Sequence, residues 1–330
     1  MHATASAVRA FVGLLIFSLL WTVSTALAQS TDKTLHIGIL SSGVLENRSP
    51  LDAALVQGLR DQGYVEGKNL LIERRYSSSK LNDNASELAA MKLDAVVTTC
   101  TPSTRIMKEA TRSTPIVMIA VSDPVRQGVI ASLARPGHNV TGTSSQAEDL
   151  LAKRLEMVAL IVSKSTTVAV LANANNPVHA LGWQRLETAA RDANLSLIKV
   201  EVRGGSELAQ AIDTAVQARA GALLVLPDDP LMFNARPQIV ELAAKYRLPD
   251  FYWAREYVES GGLMSYGESL RGSYRSAAAY VDKIKKGAYP GELPVEQPTR
   301  FELVINLKTA KTLGVAVPQS LLVRADHVIE

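Results

Sequence analysis

Small hydroxyl, amide and carboxylate residues close five short apolar segments of this chain. They read Ser41-Ser42-Gly43, Thr98-Thr99-Cys100-Thr101, Ser122-Asp123, Asn173-Ala174-Asn175-Asn176 and Asp228-Asp229. Where a strand gives way to a helix, such hydroxyls and the first-turn N–H groups can hold an anion. A carboxylate in the same place answers a cation. Ser, Thr, Asn and Asp are also ordinary helix N-caps, so one such residue alone means little. Their recurrence in both halves of the chain is what points to binding. The candidate set is Ser41, Ser42, Thr99 and Thr101 around a carboxylate, with Asp228 opposite an ammonium and Asn175 bonded to the same solute. Tyr252 and Tyr266 would cover its apolar part. Tyr252 and Trp253 are neighbours, and the period of two along a strand turns only one of them to a cleft; Tyr252 is assigned that place. The competing reading makes Asp228 a helix cap and the ligand a neutral sugar or nucleoside.

Signatures of catalysis are missing. His36, His138, His179 and His327 are scattered, without an HExxH pair for a metal. No GxSxG elbow, GxxxxGK[ST] loop or GxGxxG turn occurs. Asp123, before Pro124, reads as a turn carboxylate. Cys100 follows a strand and reads as a small buried thiol rather than a nucleophile. As the single cysteine it excludes an intrachain disulfide. No cofactor or metal is expected, and a periplasmic enzyme is the weaker alternative to a binding protein. Formal charge is +3 over 330 residues, and aromatics are 5%. With no dense run of Lys or Arg, nucleic acid is not an expected partner.

The elements that must carry these residues alternate. Apolar, β-branched runs stand at Leu35–Leu40, Asn69–Tyr76, Asp94–Thr99 and Pro115–Val121, and again at Thr166–Ala172, Leu195–Val202, Gly221–Leu226 and Leu248–Trp253. Amphipathic stretches between them include Pro50–Gln62, Ala147–Val162, Trp183–Ala193, Glu207–Ala218 and Gln238–Tyr246. Strands apolar along their length, alternating with helices, mean α/β architecture: doubly wound parallel sheets covered on both faces. Turn-rich segments at Arg135–Ser145, Glu259–Gly267 and Tyr289–Ile305 mark three crossovers between two such lobes, with hinges near Gly142, Gly262 and Pro294. A single α/β barrel would not need that punctuation. Ahead of all this, Arg9, the apolar run Phe11–Val23 and Ala26-Leu27-Ala28 compose a secretory signal peptide, cleaved after Ala28. The run of ~13 apolar residues is short of the ~20 that span a bilayer. The mature protein is then expected in a bacterial periplasm, without insertion in the membrane.

Three long segments carry a resemblance: Pro115–Gly142, Leu248–Gly267 and Gly291–Glu330, joined by the earlier Gly58–Tyr76. They resemble the ABC-transporter substrate-binding protein family that includes tryptophan- and tyrosine-type solute receptors. The pattern departs at Gly137-His138 and at the bulky Phe251-Tyr252-Trp253. The resemblance implies a type I periplasmic binding protein, with two lobes, three hinge crossovers and a cleft that closes on a small solute. It implies lobe 1 from 29–143 plus 264–292 and lobe 2 from 144–263 plus 293–330. It implies a membrane permease and its ATPase as partners, or a sensor kinase in the alternative. The ligand expected in the cleft is an amino acid or an aromatic acid.

Overall fold

The apolar runs become strands and the amphipathic stretches become helices. The computed structural model describes residues 34–330 apart from positions 44, 78, 164 and 165, and apart from the side chains at 45–49. In chain order the first half holds β1 (Leu35–Ser41), α1 (Leu45–Asp61), β2 (Leu70–Tyr76), α2 (Leu81–Ala90), β3 (Ala95–Thr99), α3 (Thr101–Ala110), β4 (Ile116–Ser122) and β5 (Val140–Ser145). The second half follows with α4 (Leu151–Ile161), β6 (Thr167–Asn173), α5 (Pro177–Ala193), β7 (Ser196–Val202), α6 (Leu208–Gln217), β8 (Ala222–Val225), α7 (Pro230–Asn234), α8 (Arg236–Lys245) and β9 (Asp250–Tyr252). The chain ends with α9 (Arg255–Glu259), β10 (Met264–Glu268), α10 (Leu270–Lys285), β11 (Phe301–Asn306), α11 (Leu307–Leu313), α12 (Gln319–Leu322) and β12 (His327–Ile329).

Two sheets result. The first has the order β2-β1-β3-β4-β5, every pair parallel. The second has the order β12-β11-β10-β9-β8-β6-β7, parallel except where β11 runs against β10. Leu35, Ile37 and Ile39 of β1, Val97 of β3 and Val117 of β4 are fully buried, as strands covered on both faces require. Each such side chain contributes roughly 1.5–3 kcal/mol on leaving water.

Strand order decides where a ligand goes. In an open α/β sheet, ligands sit beyond the carboxyl ends of strands at the point where the order reverses. Reversal falls between β1 and β3 in the first sheet and between β6 and β8 in the second. Ser41 and Thr99 end β1 and β3, Asn173 ends β6, and Asp228 follows β8.

The chain passes between the sheets three times: after Ser145, after Glu268, and between the Tyr289 region and β11. The first and third passages run side by side, Ser144 N donating to the Glu296 carbonyl at 2.9 Å and Glu296 N to that of Gly142 at 3.0 Å. Two expectations change. Strand β10 belongs to the second sheet, paired with β9 and β11, although 264–268 was assigned to the first lobe. Gly262 is not at a hinge; it lies inside the second lobe, where a Cβ would come within 2.5 Å of the Tyr252 ring. From β10 the chain continues into α10, which packs on α1 and on β4 and β5 of the first sheet. The expected signal peptide lies outside the described residues. Among the described residues no helix is long and apolar enough to cross a membrane.

Candidate functional site

Between the two switch points lies a small cavity of about 30 Å³. Phe233, Trp253, Leu270 and Tyr274 supply apolar and aromatic wall, while Thr99, Ser145 and Asp228 bring polar groups to it. Phe233 and Trp253 stand 5.7 Å apart between ring centroids, tilted by 44°. Trp253 is 7% exposed, and its Nε1–H has no hydrogen-bond partner. A buried indole N–H normally finds one. An unpaired donor in the wall of a cavity is the kind of group a ligand satisfies. Backbone strain gathers in the same place. Of eight described non-glycine residues with positive φ, Cys100 (105°), Ala120 (51°) and Asp228 (56°) all line this cavity. At Cys100, with ψ 164°, the backbone is in a region that is almost confined to glycine. Such strain persists where surrounding structure enforces it, and it clusters at binding sites.

The two lobes touch across the cavity. Thr101 Oγ1 donates to Asp228 Oδ2 at 3.2 Å, and Asn234 Nδ2 to the Ser42 carbonyl at 3.4 Å. Thr99, Thr101 and Asp228 are thus brought together as the sequence suggests. Ser41 and Ser42 lie behind them: Thr99 Oγ1 donates to Ser41 Oγ at 2.8 Å, and Ser42 Oγ sits 3.2 Å from Cys100 Sγ. These hydroxyls serve one another rather than converging on one anion. Asn175 is exposed on an outer recess. Cys100, read as a buried thiol, is half-buried in the cavity wall.

Tyr252 and Tyr266 do not face the cleft. Tyr252 is fully buried, donates to Asp250 Oδ2 at 2.6 Å and stacks on Tyr257 with centroids 4.3 Å apart. Tyr266 packs against Phe301 and the core of the second lobe. Trp253 takes the place given to Tyr252. Strand β9 stops at Tyr252, so the alternation that would turn Trp253 away no longer applies one residue later. The helix cap is likewise not Asp228 but Asp229, whose Oδ1 accepts from Met232 N at 3.0 Å and whose Oδ2 accepts from Asn173 and Asn176.

The family model described as ABC transporter substrate binding protein matches residues 47–329. This chain belongs to that family. A tyrosine-binding protein from Clostridioides difficile (strain R20291) is 29% identical over 287 residues, covering 85% of this chain and 81% of its own. The structure of an ABC domain in complex with L-Trp from Streptococcus pneumonia is similar with a TM-score of 0.80 at 26% identity, over 90% of this chain and 100% of that one. A ligand-free, open substrate-binding protein with adhesive properties from Clostridium difficile gives 0.64 at 25% identity, over 89% and 99%. In this structure the lobes are in direct contact through the Thr101–Asp228 and Asn234–Ser42 hydrogen bonds.

Electrostatics sharpen what the cleft accepts. Burial, then the nearby Glu148, and also Asp229 and Glu268, push the Asp228 carboxyl well above the usual range against the hydrogen bond from Thr101. Carboxyl groups thus crowd the mouth of the cavity and disfavour the Asp228 charge, which a ligand cation beside it would restore. His179 orders the frame around it. Its Nδ1 accepts from Asn173 N at 2.8 Å, which leaves Nε2–H to donate to the Pro227 carbonyl at 2.9 Å, one residue before Asp228. Scattered spacing gave no hint of that role. Arg154 is the buried cation nearby, its Nε donating to Tyr266 O and its Nη1 to Ala147 O, both at 2.7 Å. Burial lowers its pKa to about 9, while Glu268 pulls the other way.

Glu268 yields a pH prediction. Burial raises its carboxyl from 4.5 to about 7, with Ser145 and Arg154 opposing. A raised acid binds its proton more tightly in the folded state, so its stabilising contribution is present below pH 4.5 and is lost as pH rises through about 7. Glu268→Gln removes this loss. Scanning calorimetry should show variant and wild type converging at the acid end. Near pH 8 the variant should be the more stable by up to about 3 kcal/mol. Parallel curves across that range would contradict the assignment.

Proposed function

We propose that this protein is the periplasmic receptor of an ABC importer for an aromatic L-amino acid, delivered to a membrane permease. The observation that carries the reading is an aromatic-walled cavity with Asp228 at its mouth and an unpaired Trp253 Nε1–H in its wall. The ring of the solute stacks among Phe233, Trp253 and Tyr274, its ammonium meets Asp228, and its carboxylate turns toward the first turn of α3, the positive end of that helix dipole. Relatives named for tyrosine binding and solved with L-Trp support the same ligand class. A deaminated aromatic acid lacks the group that Asp228 answers and is a poor ligand.

The leader supports export: cleavage after Ala28 frees residues 29–330, and Gln29 is the expected N-terminus in the periplasmic fraction. A thermal-shift series on residues 29–330 tests the ligand class. L-tryptophan, L-tyrosine and L-phenylalanine should raise the midpoint by mass action, whereas indole-3-propionate and glucose should not. A shift by the sugar with the amino acids inert would overturn the reading.

A further inference from the structure

An outer recess of about 390 Å³ adjoins the binding cavity. The two share Asp228, Asp229 and Pro230, so Asp228 stands at their junction. Their chemistry differs. The inner cavity is aromatic, while the recess is lined by Thr101, Arg105, Gln127, Asn175 and Asn176 among others. Arg105 is exposed there and, among the described residues, makes no ion pair. An ammonium site followed outward by amides and an unpaired guanidinium is the layout for a peptide backbone that ends in a carboxylate.

We propose that this protein also takes dipeptides with an aromatic first residue, the second residue lying in the recess and its carboxylate on Arg105. The inference rests on the aromatic amino-acid reading above. Lengths support it. Arg105 is four residues beyond Thr101, ~6 Å along α3, and Thr101 touches Asp228. In a free amino acid the ammonium nitrogen and the carboxyl carbon are only ~2.5 Å apart, and each further residue adds ~3.5 Å. A dipeptide therefore spans ~6 Å between its charged ends, about one turn of α3. Its internal carbonyl takes the place at the start of α3 that the carboxylate of a free amino acid occupies. The recess is open while the lobes are in contact, so the second residue does not obstruct closure. Glu109, one turn further along α3, also lines the recess.

Calorimetric titration with L-tryptophan, Trp-Gly and Gly-Trp tests this, on wild type and on Arg105→Gln. Trp-Gly should bind wild type within tenfold of L-tryptophan, and Gly-Trp should be far weaker because its ring cannot enter the cavity with its ammonium at Asp228. Arg105→Gln should weaken Trp-Gly by tenfold or more and change L-tryptophan by less than threefold. Arg105→Lys should restore part of the dipeptide affinity. Binding of L-tryptophan with Trp-Gly inert would overturn the dipeptide inference alone. The same holds if Arg105→Gln weakens both ligands equally. Failure of all three ligands would overturn the amino-acid reading together with it.

Discussion

Asp228→Asn is expected to weaken binding of an aromatic amino acid by about 2–5 kcal/mol, roughly thirtyfold or more, as for removal of one partner from a buried charge pair. The folded protein itself should lose nothing. Burial and the neighbouring Glu148 already disfavour the Asp228 charge, so neutralising it relieves the empty site. The backbone there has φ 56°, a conformation asparagine adopts more readily than most residues. Thr101 keeps an oxygen to donate to. The cap of α7 is untouched because Asp229 supplies it. The expected pattern is thus a large affinity loss with an unchanged or raised melting midpoint in the absence of ligand. Calorimetry and a thermal scan on one preparation check both. Unchanged affinity would remove Asp228 from the site.

Gly267→Ala should damage fold and site together. A Cβ at Gly267 would lie 1.9 Å from the Trp253 carbonyl oxygen, a backbone atom that cannot rotate aside. Strand β10 must part from the end of β9, just before the passage into α10, and the indole wall moves with it. A loss of about 2–4 kcal/mol is expected, in the range of severe packing and backbone strain. Gly272→Ala is the matched control. In α10 its Cβ meets only Ser269 atoms at 3.5 Å and beyond, and alanine is the better helix former by up to about 1 kcal/mol. The first variant should melt lower and bind poorly, and the second should melt slightly higher and bind normally. Equal effects of the two would refute the role given to close approach at Gly267.

Most of the scaffold was legible because apolar, β-branched strands buried on both faces announce themselves locally. Leu35–Leu40, Asp94–Thr99 and Gly221–Leu226 each match a strand to within two residues. The helices α2 and α10 were not among the stretches singled out, whereas a helix was expected after Thr101, where α3 begins. The strand-end rule led to Thr99, Thr101 and Asp228, which the fold brings together, since strand order and not side-chain detail decides where the crevice opens. Which aromatic faces that crevice was not local information. Phe251-Tyr252-Trp253 is aromatic throughout, and only the end of β9 at Tyr252, set by pairing with β8 and β10, turns Trp253 inward. Phe233 and Tyr274 come from helices 41 residues apart, brought together only by the passage of the chain back to the first lobe. Gly262 failed as a hinge for the same reason. A glycine that makes room for a ring and a glycine that bends a crossover look alike until the ring is placed.

The central claim, an aromatic amino acid held against Trp253 between the lobes, can be read from one fluorophore. Residues 29–330 contain two tryptophans, and Trp183 lies far from the cavity beside Lys199. In a Trp183→Phe protein, Trp253 is the single indole, and its emission can be excited selectively while L-phenylalanine or L-tyrosine is titrated. The account predicts a saturable change in intensity and position with a stoichiometry of one, abolished by Asp228→Asn and absent with glucose. Constant emission up to millimolar aromatic amino acid, in a protein whose midpoint those same solutes do raise, would contradict it.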